Sequence, residues 1–267
     1  MTLTVAIGGL GAVGLPLARA LDAGVEGMRL ILVSARDRDR ALSAVQSFRN
    51  PPQVASLADL AEADIVVEAV PPAVFDKIAI PAIAAGRVLV AVSAAALLPR
   101  THLFKRARET GARIVVPTGG LAGLDALRAA AEGPVESVTL ETRNPLSALA
   151  DLSSLSRQGP GLGTVSEPIC VFRGNALEAT QACPANANVA AALALAGIGS
   201  LRTRVEIWAD PNVSCSTHTI RVEAELARFT VVIENLPSEG NPRTSRLTPC
   251  SVLACLRGLA ATLKVGS

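Results

Sequence analysis

Rings are almost missing from this chain: its 267 residues include no tyrosine, one tryptophan and five phenylalanines, so aromatics make up 2%. A surface that stacks nucleic-acid bases needs a row of such rings, and their scarcity argues against one. A dominant charge is missing as well. The 25 basic and 23 acidic residues leave a formal charge of +2 and are interspersed, without the basic stripe that binding a phosphate backbone requires. Nucleic acid is therefore not an expected partner. The five cysteines (Cys170, Cys183, Cys215, Cys250 and Cys255) are odd in number, lie in the C-terminal half and include no C-x-x-C spacing. They read as reduced, mostly buried thiols, and no metal site is expected. The most apolar helical stretch, residues 189–198, covers about half of the ~20 residues that span a bilayer, so it reads as a core helix and no membrane partner is expected. The first apolar strand pattern starts at Leu3, which leaves no room for a secretion signal. The expected location is the cytoplasm.

What is present is aliphatic. Half of the chain is hydrophobic, so its cores must be built from Ala, Val, Leu and Ile, and the length suits two domains that need neither disulfides nor metals. Between residues 3 and 116, short β-branched runs alternate with Ala/Leu-rich amphipathic segments, the pattern of a parallel sheet wrapped by helices. The spacing predicts strands at 3–7, 30–33, 65–69, 88–92 and 113–116, with helices at 13–21, 38–47, 72–84 and 101–109. Right-handed crossovers would place the carboxyl ends of these strands along one edge, where such sheets bind ligands.

After Pro117 the rhythm changes. A Gly-rich turn and short helix (118–131) lead to strands near 135–142, 169–172, 203–209, 217–227 and 230–234, which suggests a second α+β domain with a mainly antiparallel sheet. The Ser-, Gly- and Pro-rich stretch 147–166 reads as a mobile loop. A final helix, 247–263, follows an N-cap at Thr244 or Ser245. Its apolar stripe, Val252, Leu253, Leu256, Leu259 and Leu263, is expected to pack back on the first domain. The expected division is thus a Rossmann doubly wound parallel sheet over 1–117, completed by 244–267, and a second domain over 118–243.

Directly after the first strand and opening the first helix stands Gly9-Leu10-Gly11-Ala12-Val13-Gly14, a G-x-G-x-x-G fingerprint in its proper frame. Gly9 permits the tight turn, Gly11 lets the backbone approach a pyrophosphate, and Gly14 lets the helix lie close to the strand. The N–H groups near Ala12 and Val13 would face the anion. At the end of the second strand, Val33-Ser34-Ala35-Arg36 lacks the acid that usually holds the ribose 2′-hydroxyl of NAD. Ser34 and Arg36 could serve a 2′-phosphate, so the expected cofactor is NAD or NADP, with NADP at least tolerated. The other reading leaves Arg36 in solvent and lets Asp37 or Asp39 reach the ribose.

Only two histidines exist. His102 sits at a helix start among Arg100, Lys105 and Arg106, which suits a surface role. His218, in a strand of the second domain, has the pKa suited to proton transfer near neutrality. From the residues alone, catalyst and core histidine are equally open.

The C-terminal half resembles the L-aspartate dehydrogenase family, and the similarity covers nearly the whole chain. It is carried by Thr118-Gly119-Gly120-Leu121-Ala122-Gly123-Leu124-Asp125, Phe172-Arg173-Gly174-Asn175-Ala176 and Pro184-Ala185-Asn186-Ala187-Asn188-Val189-Ala190-Ala191. Ala209-Asp210-Pro211, His218, Glu234-Asn235-Leu236-Pro237 and Asn241-Pro242-Arg243-Thr244-Ser245 complete it. The resemblance implies a cytoplasmic homodimer that oxidises L-aspartate to iminoaspartate by hydride transfer to NAD(P), with a C-terminal domain for substrate binding and dimerisation. It implies further that His218 is the active-site histidine and that Asn188 and Gly120 contact the cofactor. Two positions depart from the family: Asn144 stands where a Lys is common and Ser216 where an Asn is common. If these side chains grip substrate carboxylates, substrate preference changes. Arg143 and Arg243 are candidate carboxylate clamps, or ordinary surface ion pairs. Two alternatives follow: an oxidoreductase of the same fold acting on another amino or keto acid, and a non-catalytic NAD(P)-binding regulator.

Overall fold

A computed structural model describes residues 2–148, 166–183, 187–238 and 241–266, with the backbone only for 241–244. The described chain divides into two compact units, residues 1–119 with 248–267 and residues 120–247.

The first unit is built on β1 (Leu3–Gly8), α1 (Gly14–Ala23), β2 (Met28–Ser34), α2 (Arg38–Val45) and β3 (Gln53–Val54). It continues through β4 (Ile65–Glu68), α3 (Asp76–Ala84), β5 (Val88–Ala91), α4 (Ala94–Leu97), α5 (Thr101–Thr110) and β6 (Arg113–Val115). The six strands lie in the order β3-β2-β1-β4-β5-β6, and every neighbouring pair is parallel. Helices on both faces explain why β4 is buried at all four residues, since a sheet covered twice needs continuous apolar strands. The order reverses direction at β1, which sets a crevice between the ends of β1 and β4.

The region predicted as one helix over 72–84 is a 3-10 turn, Pro72–Val74, followed by α3. The prolines at 71 and 72 take the N-cap and first position of that turn, where a missing N–H costs nothing. The last helix, α9 (Leu247–Ala260), places Val252 and Leu256 fully inside the core of this unit with Val5, Ile7, Leu17 and Val33. It stops short of Leu263, which is 80% exposed and no part of the apolar stripe.

The second unit contains α6 (Leu124–Ala130), β7 (Val135–Asn144), β8 (Ile169–Asn175), α7 (Ala176–Ala182), α8 (Ala187–Ala196) and β9 (Thr203–Ala209). It then runs through β10 (Ser216–Ala224), β11 (Arg228–Asn235) and a small pair, β12 (Pro237–Ser238) with β13 (Asn241–Ser245). Its five-stranded sheet has the order β11-β10-β7-β9-β8. All described pairs are antiparallel except β7 with β9. One face is lined by Val138, Leu140, Val205, Ile207, Ile220 and Val222, all essentially buried. The small side chains of α7 and α8, among them Ala176, Ala179, Ala190 and Ala191, are buried as well. Alanine lets helices lie close to their neighbours, which is how a core forms here with almost no rings.

Sequence periodicity missed α7. Its start is a capping box in which Asn175 accepts from the Glu178 N–H while Glu178 accepts from the Asn175 N–H. The predicted loop at 147–166 falls mostly on residues 149–165, which lie outside the described residues, as do Pro184, Ala185 and Asn186. The thiols are also less buried than expected. All five are free, but only Cys183 is buried and Cys250 is exposed. No described helix is long and apolar enough to cross a membrane.

Candidate active site

In the first unit the glycine turn joins three strand ends. The Gly9 N–H donates to the Ser34 carbonyl at 2.7 Å, and the Ala69 N–H donates to the Gly8 carbonyl at 2.8 Å. Gly9 has φ of +96°, and a Cβ there would strike the Ala69 carbonyl, so this position requires glycine twice over. A Cβ on Gly14 would strike the Gly9 carbonyl. Gly11 differs, since a Cβ there would meet nothing within 4 Å among the described residues. Packing of the chain does not explain a glycine at that exposed position, but close approach of a ligand does. Helix α1 begins beside it with no side-chain cap and no acid in its first turn, which leaves the N–H groups near Ala12 and Val13 and the helix dipole favourable to an anion. These features fit the diphosphate of a dinucleotide.

Ser34 is buried at the end of β2 and Arg36 is exposed two residues on. The Asp37 carboxylate caps α2 by accepting from the Arg40 N–H at 2.9 Å. That engagement weighs against the reading in which Asp37 is the ribose acid, and Arg36, Arg38 and Arg40 are all exposed around the turn.

In the second unit, strand pairing sets two rows of side chains across the buried face. The first is Ile233, His218, Thr142 and Ile207; the second is Asn235, Ser216, Asn144 and Ala209. His218 is 7% exposed, and its Nδ1 lies 2.9 Å from the Thr142 hydroxyl oxygen. Burial pushes its pKa down to about 4, so the imidazole is neutral at pH 7. A hydroxyl can donate or accept, so Thr142 can hold either tautomer. With Nδ1 engaged, Nε2 is the nitrogen left for proton exchange.

Asn144 and Ser216 touch each other. The Ser216 hydroxyl donates to Asn144 Oδ1 at 2.7 Å, while Asn144, 1% exposed, has an amide nitrogen with no hydrogen-bond partner among the described residues. Such an orphaned donor costs about 1–3 kcal/mol and fits an acceptor oxygen of a ligand. Gly120 is crowded by Asn235. The Asn235 amide donates to the Gly120 carbonyl at 2.8 Å, and a Cβ on Gly120 would lie 2.9 Å from Asn235 Oδ1. Asn235 Oδ1 also accepts from the Ser245 hydroxyl at 2.7 Å. The glycine at 120 thus makes room for Asn235, a physical reason that the sequence did not reveal. Asn188 is exposed at the start of α8.

Arg143 does not join this group. Strand alternation puts it on the opposite face from Thr142 and Asn144, where Nε meets Glu141 at 2.7 Å and Nη1 meets Asp210 at 2.9 Å. Its guanidinium also lies 5.2 Å from the centre of the Trp208 ring. Burial raises the Asp210 pKa, but the hydrogen bonds from Arg143 and the Asn212 N–H outweigh it and hold the carboxyl below its usual range. The expected substrate clamp is thus replaced by a brace across β7 and β9. Arg243 lies in β13, and its side chain is outside the described residues. His102 is exposed.

Two residues of this group were not found from sequence: Thr142 and Asn235.

A glycine turn at the switch point of a doubly wound parallel sheet, with a buried neutral histidine in an accompanying sheet unit, defines a nicotinamide-dinucleotide-dependent oxidoreductase. Residues 9–117 match the family described as "Homoserine dehydrogenase, NAD binding domain", and residues 125–259 match "Aspartate dehydrogenase, C-terminal". The chain is 46% identical over 266 residues to an L-aspartate dehydrogenase of Bradyrhizobium diazoefficiens, covering 99% of this chain and 94% of that one. It is 43% identical to L-aspartate dehydrogenase 3 of Bordetella bronchiseptica, covering 99% and 98%. Among solved structures, aspartate dehydrogenase from Thermotoga maritima shares the fold with a TM-score of 0.76, full coverage of both chains and 23% identity. The chain belongs to the L-aspartate dehydrogenase family.

Proposed function

We propose that this protein oxidises L-aspartate to iminoaspartate with NAD or NADP, the imine then yielding oxaloacetate and ammonia by hydrolysis. The observation that carries the reading is the buried, neutral His218 held by Thr142 beside an amide donor that has no partner among the described residues. When bound, the nicotinamide supplies the hydride acceptor. In this reading Gly9, Gly11, Ala12, Val13 and Gly14 hold the diphosphate, Ser34 and Arg36 the adenine ribose end, and Gly120 and Asn188 the nicotinamide end. His218 Nε2 takes a proton from the substrate amine, or from the water that attacks the imine, while Thr142 keeps the ring in place. Asn144 donates to a substrate oxygen and Ser216 orients its amide. Residues 120–247 form the substrate and dimerisation unit of a cytoplasmic homodimer. The less buried face of the five-stranded sheet, where Val232 is 59% exposed, supports the dimer, and the five free thiols suit a reducing compartment.

The test follows reduced-cofactor absorbance with L-aspartate, glutamate, alanine and homoserine, using both cofactors. Aspartate should give the highest kcat/KM. Turnover of another of these acids in its place would favour the second reading, a different amino-acid substrate, which the uncharged Asn144–Ser216 pair supports.

A further inference from the structure

Glu68 ends β4, is 0% exposed, and follows three fully buried aliphatic residues. A carboxylate in such a place is costly, and an apolar residue would suit the sheet better. Its partners indicate what it is for. Oε1 accepts from the Val70 N–H at 3.0 Å and from the Ser93 hydroxyl at 2.9 Å, and Oε2 accepts from the Ser93 N–H at 3.0 Å. All three donors belong to the segments that leave the carboxyl ends of β4 and β5, beside the switch-point crevice where dinucleotides bind. The segment after β4 in turn supports the glycine turn, for Ala69 donates to the Gly8 carbonyl, and Ala69 with Val70 forms the wall that excludes a Cβ from Gly9.

We infer that Glu68 is a positioning residue of the dinucleotide site, a buried clamp that fixes the loops after β4 and β5 against the Gly9 turn. The inference rests on the reading of that turn as the cofactor site. Burial raises the pKa of this carboxyl against the lowering effect of its hydrogen bonds, so the three donors oppose a real tendency to take up a proton. The clamp touches no reacting atom and acts through the backbone of residues 69–70 and 93.

The test is Glu68→Gln. Whichever way the amide turns, its NH2 faces the N–H of either Val70 or Ser93, so one of these backbone donors loses its acceptor. The Kd of NADH and NADPH, read from nicotinamide fluorescence, should rise about tenfold or more. The KM for L-aspartate at saturating cofactor should stay within about twofold, because the clamp supports only the cofactor unit. A folded E68Q protein with wild-type Kd, whether or not its Tm falls, would make Glu68 merely structural and overturn the inference. If E68Q does not fold, Ser93→Ala decides. It removes the hydroxyl and keeps both backbone contacts, so Kd should rise about threefold, and an unchanged Kd overturns the inference. A wild-type protein that bound neither cofactor would overturn the functional reading itself, a result distinct from equal binding by wild type and variant.

Discussion

The Ser216 hydroxyl and the Asn144 carboxamide oxygen meet at 2.7 Å, so one hydrogen bond joins the two positions whose side chains the sequence singled out as departures from the family pattern. The other end of the same amide is buried without a partner among the described residues. Replacing the pair by Asn144→Leu with Ser216→Ala removes both polar groups at nearly constant shape. Stability should hold or rise by about 1 kcal/mol, since an unsatisfied donor is lost. The KM for aspartate should nevertheless rise about tenfold or more if that donor serves the substrate. Thermal melts and steady-state kinetics on the same sample separate the two effects, and an unchanged KM would remove Asn144 from the site.

His218 makes a double prediction. As proton carrier, its replacement by Asn, which keeps a donor for Thr142, should lower kcat by roughly 10²–10⁴-fold. Its pKa of about 4 in the fold lies below the ordinary 6.5. The unfolded chain therefore binds the extra proton first as pH falls. The associated stability is complete above pH 6.5 and is lost progressively towards pH 4, up to about 3 kcal/mol. Denaturant melts across that window should show the slope in wild type and a weaker one in His218→Asn. A kcat/KM profile whose acid limb bends near 6.5 would contradict the burial argument.

Gly11 and Gly14 belong to one motif but should fail differently. Gly11→Val adds atoms to open space, so the protein should fold normally while cofactor affinity drops a hundredfold or more, roughly 2.7 kcal/mol. Gly14→Ala drives a Cβ into the Gly9 carbonyl and should cost about 1–3 kcal/mol of stability. Isothermal titration with NADH beside thermal melts would distinguish them.

Arg36 should set cofactor preference. With Asp37 engaged as a helix cap, NADP should work at least comparably to NAD. Arg36→Ala should lower kcat/KM for NADP about tenfold and leave NAD nearly unchanged, as expected for the loss of one charge-assisted contact. A hundredfold NAD preference in the wild type would place the ribose contact elsewhere.

The glycine turn and the parallel strands were legible because their signals are local: a positive φ at Gly9, and β-branched runs bounded by turn residues. The histidine's setting was not, because Thr142 lies 76 residues from His218 and only the pairing of β7 with β10 joins them. Arg143 shows the same limit. Its partner Glu141 is two residues away on the same strand face, while Asp210 arrives through the parallel pairing with β9. β3 has two residues, too few for any period to register. Helix α7 did carry a readable signal in Asn175 and Glu178, one that apolar spacing alone passes over.

The placing of Val252 and Leu256 in the first unit's core bears on how the protein is made. Ribosomal synthesis delivers residues 120–247 before α9, so the second unit can close while the cofactor unit still lacks part of its interior. Apolar surface around Val5, Ile7 and Leu17 then waits for α9, and a premature stop after residue 246 would spare the sheet that holds His218 yet leave the nucleotide unit open to aggregation and proteolysis.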